Sequence, residues 1–221
     1  YAFGGTGIEQ ILEKGDIFDI NPKTIYLTQN SLLERITNNA FETTIWSPSA
    51  STNMLKVITL PKLFGFSESN YNFTLGENLT NIIILNEDES GIVFRDNLLF
   101  ASYSESVLVR AMPYLGGNEP IDTVELIDVN TVYPYAFYKC NTINNVVLGR
   151  SVYPYGLGIG AFYDSAIKTV DMSQCVEMEE VQEFTFNECR KLEEIIFPMD
   201  ARLTTFGKCL FSWCDSLSAL T

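Results

Sequence analysis

A phenylalanine recurs at Phe137, Phe162, Phe186 and Phe211, in steps of 25, 24 and 25 residues. Self-similarity at this interval constrains the fold more than any other feature, because one such unit cannot bury its own apolar face and must stack on its neighbours. The residue before each phenylalanine is Ala136, Ala161, Thr185 or Leu210, and five before it stands an apolar residue, Val132, Leu157, Val181 or Phe206. Three after it come Cys140, Ser165, Cys189 and Cys214. Ala40-Phe41, with Ile36 five before the phenylalanine, repeats the pattern early in the chain, as does Ala2-Phe3.

Each block is followed by an apolar residue, two variable ones, an apolar residue, one variable and another apolar residue. This reads Ile143-Val146-Leu148, Ile167-Val170-Met172 and Leu192-Ile195-Phe197, with Leu217-Leu220 cut short. Earlier copies are Leu55-Ile58-Leu60, Leu79-Ile82-Ile84 and Ile121-Val124-Leu126, with partial ones at Ile8-Ile11 and Ile25-Leu27, about nine in all. The last two apolar positions are spaced by two, so Val146 and Leu148, or Ile195 and Phe197, face one side of a short strand. One strand per coil, stacked in parallel at about 4.8 Å, makes a ribbon whose inward residues fill a solenoid. Pro61 and Pro198 follow two of these strands and stop them. The Ala-Phe blocks are expected on the opposite wall, their rings stacked coil upon coil.

The period breaks in the middle: Ile82 and Val124 are 42 residues apart. Short apolar runs between Gly91 and Arg110, separated by polar turn residues, predict a hairpin or three-stranded meander between coils. The expected organisation is a single solenoid with irregular coils over 1–85, a β insert over about 86–120 and regular coils over 121–221. The chain starts inside a block at Ala2-Phe3 and stops inside a motif at Leu220-Thr221, so it is expected to be part of a longer protein or to pack its ends against something.

The blocks from Val132 to Cys140 and from Val181 to Pro198 resemble the BspA-type leucine-rich repeats, and the segment from Gly91 to Val109 resembles the strand pair that often interrupts such arrays. Ser165 departs from the pattern's cysteine. The resemblance implies an α/β-type repeat solenoid, a right-handed superhelix with one short parallel strand per coil of roughly 22–25 residues. It also implies an extracellular or cell-surface protein of a bacterium or protist, of a kind linked to adhesion.

Composition narrows the partners. Asp plus Glu outnumber Lys plus Arg by 28 to 14, a formal charge of −14, so nucleic acid and anionic lipid are repelled. No apolar run approaches the roughly 18 residues of a membrane helix, and no basic n-region or apolar h-region opens the chain. There is no histidine, which excludes hydrolases that need an imidazole base or ligand from this segment.

Candidate chemistry reads as structure. Gly156-Leu157-Gly158-Ile159-Gly160 lacks phosphate-loop spacing, and Leu157 already has a core place, so the run is expected to be a turn, like Gly4-Gly5-Thr6-Gly7. Cys140, Cys189 and Cys214 hold one place in different coils and predict a buried column, with a Cys189–Cys214 or Cys209–Cys214 disulfide as alternatives. With no C-x-x-C pair and no histidine, zinc is not expected. Glu87-Asp88-Glu89, Glu179-Glu180 and Glu193-Glu194 read as solvated surface, adjacent strand residues pointing to opposite faces. Asn72 and Asn78 lie in glycosylation sequons. No catalytic, cofactor or metal residue is assigned.

The outward strand positions carry the functional expectation: Tyr26, Thr59, Ile83, Glu125, Val147, Asp171 and Ile196, flanked by Val57, Asn81, Thr123, Asn145, Thr169 and Glu194. Together they would form one sheet surface, the expected site for a protein or glycan of a host or neighbouring cell or its matrix. The competing readings are a structural spacer and a parallel β-helix enzyme acting on acidic polysaccharide. The last would need clustered Asp, Lys or Arg on one face and three strand patterns per rung.

Overall fold

The computed structural model describes residues 11–12, 24–26, 57–60, 81–84, 93–101, 107–111, 121–150, 152–153, 156–199 and 202–221. The chain divides into two compact units, Tyr1–Asp96 and Asn97–Thr221.

In the first unit β1 (Ile11–Leu12), β2 (Thr24–Tyr26), β3 (Val57–Leu60) and β4 (Asn81–Ile84) form a parallel sheet in chain order. The register aligns Ile11 with Ile25, Ile25 with Ile58 and Ile58 with Ile82, so the irregular motif copies of the sequence stack as one ribbon. A further strand, β5 (Val93–Arg95), is the last of this unit in chain order and lies outside that sheet. The sequons at Asn72 and Asn78, the Glu87-Asp88-Glu89 run, Gly4 to Gly7 and the early Ala-Phe blocks lie outside the described residues.

The second unit holds the regular coils. Strands β8 (Ile121–Leu126), β10 (Ile143–Leu148), β11 (Thr169–Asp171), β13 (Glu194–Ile196) and β15 (Ala219–Leu220) pair in parallel in that order. Val124, Val146, Val170, Ile195 and Leu220 fall in one row, and the first four are buried. This is the ribbon that the spacing of apolar residues predicts.

A second parallel ribbon runs through the residue five before each phenylalanine, so the expectation of one strand per coil is corrected to two. It comprises β9 (Thr131–Val132), Leu157, β12 (Glu180–Val181) and β14 (Thr205–Phe206). Val132 bridges Leu157, and Val181 aligns with Phe206. Each coil places one inward residue here, so alternation never develops in the sequence. Leu157 is fully buried; of its glycine-rich run, expected to be a turn, only Ile159-Gly160 form one, and Leu157 itself bridges the ribbon.

The repeat solenoid of parallel strands is present, but its α/β character is not confirmed: no helix occurs among the described residues. The Ala-Phe blocks are arches whose ends are left-handed, with positive φ at Tyr135 and Lys139, Gly160 and Asp164, Phe184 and Glu188, and Cys209 and Trp213. A left-handed residue at each end of the block stops a helix from propagating. The backbone is satisfied instead by alternation. Amides of Tyr135, Phe137 and Lys139 donate to carbonyls of the next coil at Ile159, Ala161 and Tyr163, while those of Ala136, Tyr138 and Cys140 donate within their own coil. Gly160, Phe162 and Asp164 repeat this onto Glu183, Thr185 and Asn187. The arches therefore form a third inter-coil ladder, which leaves few buried polar groups unpaired. At Thr185, which replaces the usual alanine, the buried hydroxyl donates to the Gln182 carbonyl at 2.7 Å.

Inside the arches the phenylalanines stack as expected. Ring centroids are 4.7 Å apart for Phe137–Phe162, 5.4 Å for Phe162–Phe186 and 5.9 Å for Phe186–Phe211, with interplanar angles of 21°, 4° and 15°.

The insert has a capping role that its sequence does not announce. Its strands β6 (Leu98–Phe100) and β7 (Val107–Ala111) are antiparallel, and β7 pairs in parallel with β9, Leu108 beside Val132. Ala111 N–H donates to the Ala136 carbonyl, so β7 continues both the second ribbon and the arch ladder. Leu98, Leu99, Phe100, Leu108, Val109 and Ala111 are buried. The hairpin thus covers the first regular coil, where a bare coil would expose ribbon edges. At the other end Phe206 and Leu220 are 56% and 54% exposed, whereas their equivalents Val181 and Ile195 are fully buried.

Candidate strand-face recognition site

In the second unit, three residues of each motif point away from the core, because the apolar first, fourth and sixth positions take the inward places. The register joins Glu125, Val147, Asp171 and Ile196 into one row, and Thr123, Asn145, Thr169, Glu194 and Ala219 into a second. Glu125 is exposed, while Val147, Asp171 and Ile196 are half-buried. Four of the expected site residues are therefore adjacent across β8, β10, β11 and β13. Of the others, Thr59 and Ile83 align in β3 and β4, and Tyr26 aligns with Leu12 in β2, in the other unit. Their side chains lie outside the described residues.

A third row was missed by sequence reasoning, which took the later variable positions and passed over the first. It contains Asp122, Asn144, Lys168, Glu193 and Ser218. Asn144 Nδ2 donates to Asp122 Oδ1 at 3.1 Å, and the Lys168 amide donates to the Asn144 carbonyl at 2.7 Å. Asn145 Nδ2 bonds to Thr123 Oγ1 at 3.3 Å, and Thr221 Oγ1 donates to Glu194 Oε1 at 3.3 Å. These cross-strand bonds hold the polar side chains in ladders. Glu193 is exposed and Glu194 half-buried, in keeping with a solvated surface, while Leu192 and Ile195 occupy the inward places.

The cysteines serve the coil-to-coil packing. Cys189 Sγ donates to the Phe162 carbonyl at 2.9 Å, and Cys214 Sγ to the Phe186 carbonyl at 3.0 Å, each reaching the preceding coil. Cys140, Cys175, Cys189, Cys209 and Cys214 are free thiols, so neither alternative disulfide is formed. Burial pushes the Cys175 and Cys189 thiols up to about 12 and Cys214 up to about 11. Thiolate chemistry at neutral pH is thereby suppressed at these three positions.

On the arch side Tyr163 donates to Glu188 Oε1 at 2.9 Å, and burial followed by this bond raises its phenol well above the ordinary value. Tyr135, Tyr138 and Tyr163 pack ring against ring at 5.8–6.3 Å, with Lys139 Nζ 5.3 Å from the Tyr138 ring. Among the described residues no group of three or more Cys, Asp or Glu side chains is placed to hold a metal ion.

Residues 118–221 match the family of the BspA type Leucine rich repeat region, in six copies. Among solved structures the chain is similar to the pneumococcal vaccine antigen PcpA, with 17% identity and a TM-score of 0.53 over 90% of this chain and 56% of that one. At this identity the likeness is one of fold. The chain is also similar to a leucine rich cell surface protein from Faecalibacterium prausnitzii (20% identity, TM-score 0.48, 75% of this chain and 47% of that one). A leucine-rich repeat protein from Eubacterium ventriosum gives 17%, 0.49, 75% and 48%. The chain spans about half the length of the structures it matches. The comparison with curated proteins gives no match.

Proposed function

We infer, from residues 118–221 being a BspA-type leucine-rich-repeat array, that the chain is a non-catalytic recognition module of a cell-surface or secreted protein. Its ligand, a protein or glycan of another cell or its matrix, lies on the strand face. The observation that carries this reading is the continuous outward surface of β8, β10, β11 and β13, on which Val147 and Ile196 stay partly exposed where solvent alone favours polar residues. A rigid array that holds side chains in registered rows is a preorganised binding surface, which lowers the ordering cost of association. The fold shared with a pneumococcal vaccine antigen supports a place at the cell surface. The absence of histidine, and the burial that suppresses ionisation of the Tyr163 phenol and of the Cys175, Cys189 and Cys214 thiols, argue against acid–base or nucleophilic catalysis by these groups.

A spacer role is the second reading, favoured by the stacked ladders, which make the array stiff. The two are separated by attachment assays. Purified protein is expected to bind cells or matrix saturably, and Val147→Arg with Thr169→Trp, which obstruct the face without touching the core, should abolish that binding. Undiminished attachment by the folded double variant would move the site off this face; no saturable binding at all leaves the spacer.

A further inference from the structure

We propose that the strand face takes a cationic amphipathic helix of a partner protein, laid across the strands; this rests on the recognition reading above and names the chemistry of the ligand. The outward positions of the five parallel strands in the second unit carry Asp122, Glu125, Asp171, Glu193 and Glu194 against a single cation, Lys168. Among the described residues the ion pairs fall elsewhere: Arg190 reaches Asp215 at 3.5 Å and Glu188 at 4.0 Å, and Arg202 reaches Glu177 at 2.7 Å. None takes a strand-face carboxylate. Arg190 and Arg202 are thus paired off the face, and the strand positions keep a net negative charge for an incoming partner.

The second observation is the order within one row. Glu125, Val147, Asp171 and Ile196 run acid, apolar, acid, apolar on successive strands. Neighbouring strands are about 4.8 Å apart, which puts the two acids about 10 Å from each other. A helix crossing the strands rises about 5.4 Å per turn and about 10.5 Å over seven residues. Lysine or arginine at i and i+7, with apolar residues at i+4 and i+11, would meet all four side chains in turn. The apolar pair would cover Val147 and Ile196, and charge would fix the register. A glycan fits less well. Acidic sugars are repelled, and none of the outward residues on the second unit's strands is an aromatic ring on which a neutral pyranose could stack.

The probe is a synthetic alanine-based helical peptide with Lys at i and i+7 and Leu at i+4 and i+11, compared by fluorescence anisotropy with a scrambled peptide of identical composition. The full chain should bind the ordered peptide at least about tenfold tighter, with affinity falling as salt rises. Glu125→Gln with Asp171→Asn should weaken it about five- to tenfold, roughly two- to threefold for each charge pair lost. Glu180→Gln with Glu183→Gln removes the same charge from the second ribbon and its turn and should leave it unchanged. Equal binding of both peptides, or equal losses in the two double variants, would overturn the proposal as bulk attraction to an acidic protein. Preference for heparin over either peptide would also overturn it. If Val147→Arg with Thr169→Trp abolishes cell attachment while Glu125→Gln with Asp171→Asn spares it, the recognition reading stands and the cationic partner falls.

Discussion

Replacing Phe162 by alanine tests the architecture where its elements meet. Phe162 is fully buried, with Phe137 stacked on one side at 4.7 Å and Phe186 on the other at 5.4 Å. Its own amide and those of Gly160 and Asp164 are held to the next coil, so the arch cannot close over the missing ring. Phe→Ala substitutions in cores cost about 3–5 kcal/mol, and a site that resists collapse belongs at the upper end. Two lost ring contacts account for about 1–3 kcal/mol of this, which is the loss expected of Phe162→Leu. Phe211, by contrast, is only half-buried in the last coil and stacks on Phe186 alone within the column. Phe211→Ala should cost about 1–2 kcal/mol. In urea, with a slope of about 1–3 kcal/mol per molar, a loss of about 4 kcal/mol moves the midpoint by roughly 2 M. Urea titration followed by circular dichroism should therefore rank the variants Phe162→Ala, Phe162→Leu, Phe211→Ala from lowest midpoint upward, the last two being close. A Phe211→Ala midpoint at or below that of Phe162→Ala would refute the stacked column as the core.

Other expectations follow from the arches and the thiols. Gly160→Ala should destabilise by about 2 kcal/mol or more in thermal melts, since the residue is at φ 58° and the new Cβ would lie 2.5 Å from the Tyr135 ring. Cys209→Gly, exposed at φ 51°, should gain about 0.5–1 kcal/mol from the same conformational preference. Ellman's reagent should titrate Cys209 first and Cys214 more slowly, with Cys140, Cys175 and Cys189 reacting only on unfolding. Because burial raises the folded pKa of Cys175, Cys189 and Cys214 above the ordinary 9.0, the folded state holds these protons more tightly. Their stabilising contribution is complete below about pH 9 and disappears as pH rises through about 11 to 12. Alkaline titration of a Cys175→Ala, Cys189→Ala variant should show a shallower decline in midpoint over that window.

The main ribbon and the phenylalanine column were legible because each coil commits several apolar residues to them at fixed spacing. The strand-face rows followed from that ribbon by alternation, as Glu125, Val147, Asp171 and Ile196 illustrate. The second ribbon was not legible as strand, since Val132, Leu157, Val181 and Phe206 are single inward residues with no alternation around them. Nor were the arches. Left-handed positions normally announce themselves through glycine, yet only Gly160 does so here, while Tyr135, Lys139, Phe184 and Trp213 adopt the same region. Inter-coil hydrogen bonds hold Tyr135, Lys139 and Phe184 there, and such bonds leave no mark on a single coil's sequence. The capping role of β7 depends likewise on its register with β9, which the apolar runs between Gly91 and Arg110 do not encode.

Hydroxyl-radical footprinting of the protein bound to cells or matrix tests most directly whether ligand meets the strand face, as proposed. Protection is expected at Val147, Asp171 and Ile196, with the arch residues Tyr135, Tyr163 and Trp213 labelled as in the free protein. Protection of those arch residues, with Val147 and Ile196 still labelled in the complex, would contradict it.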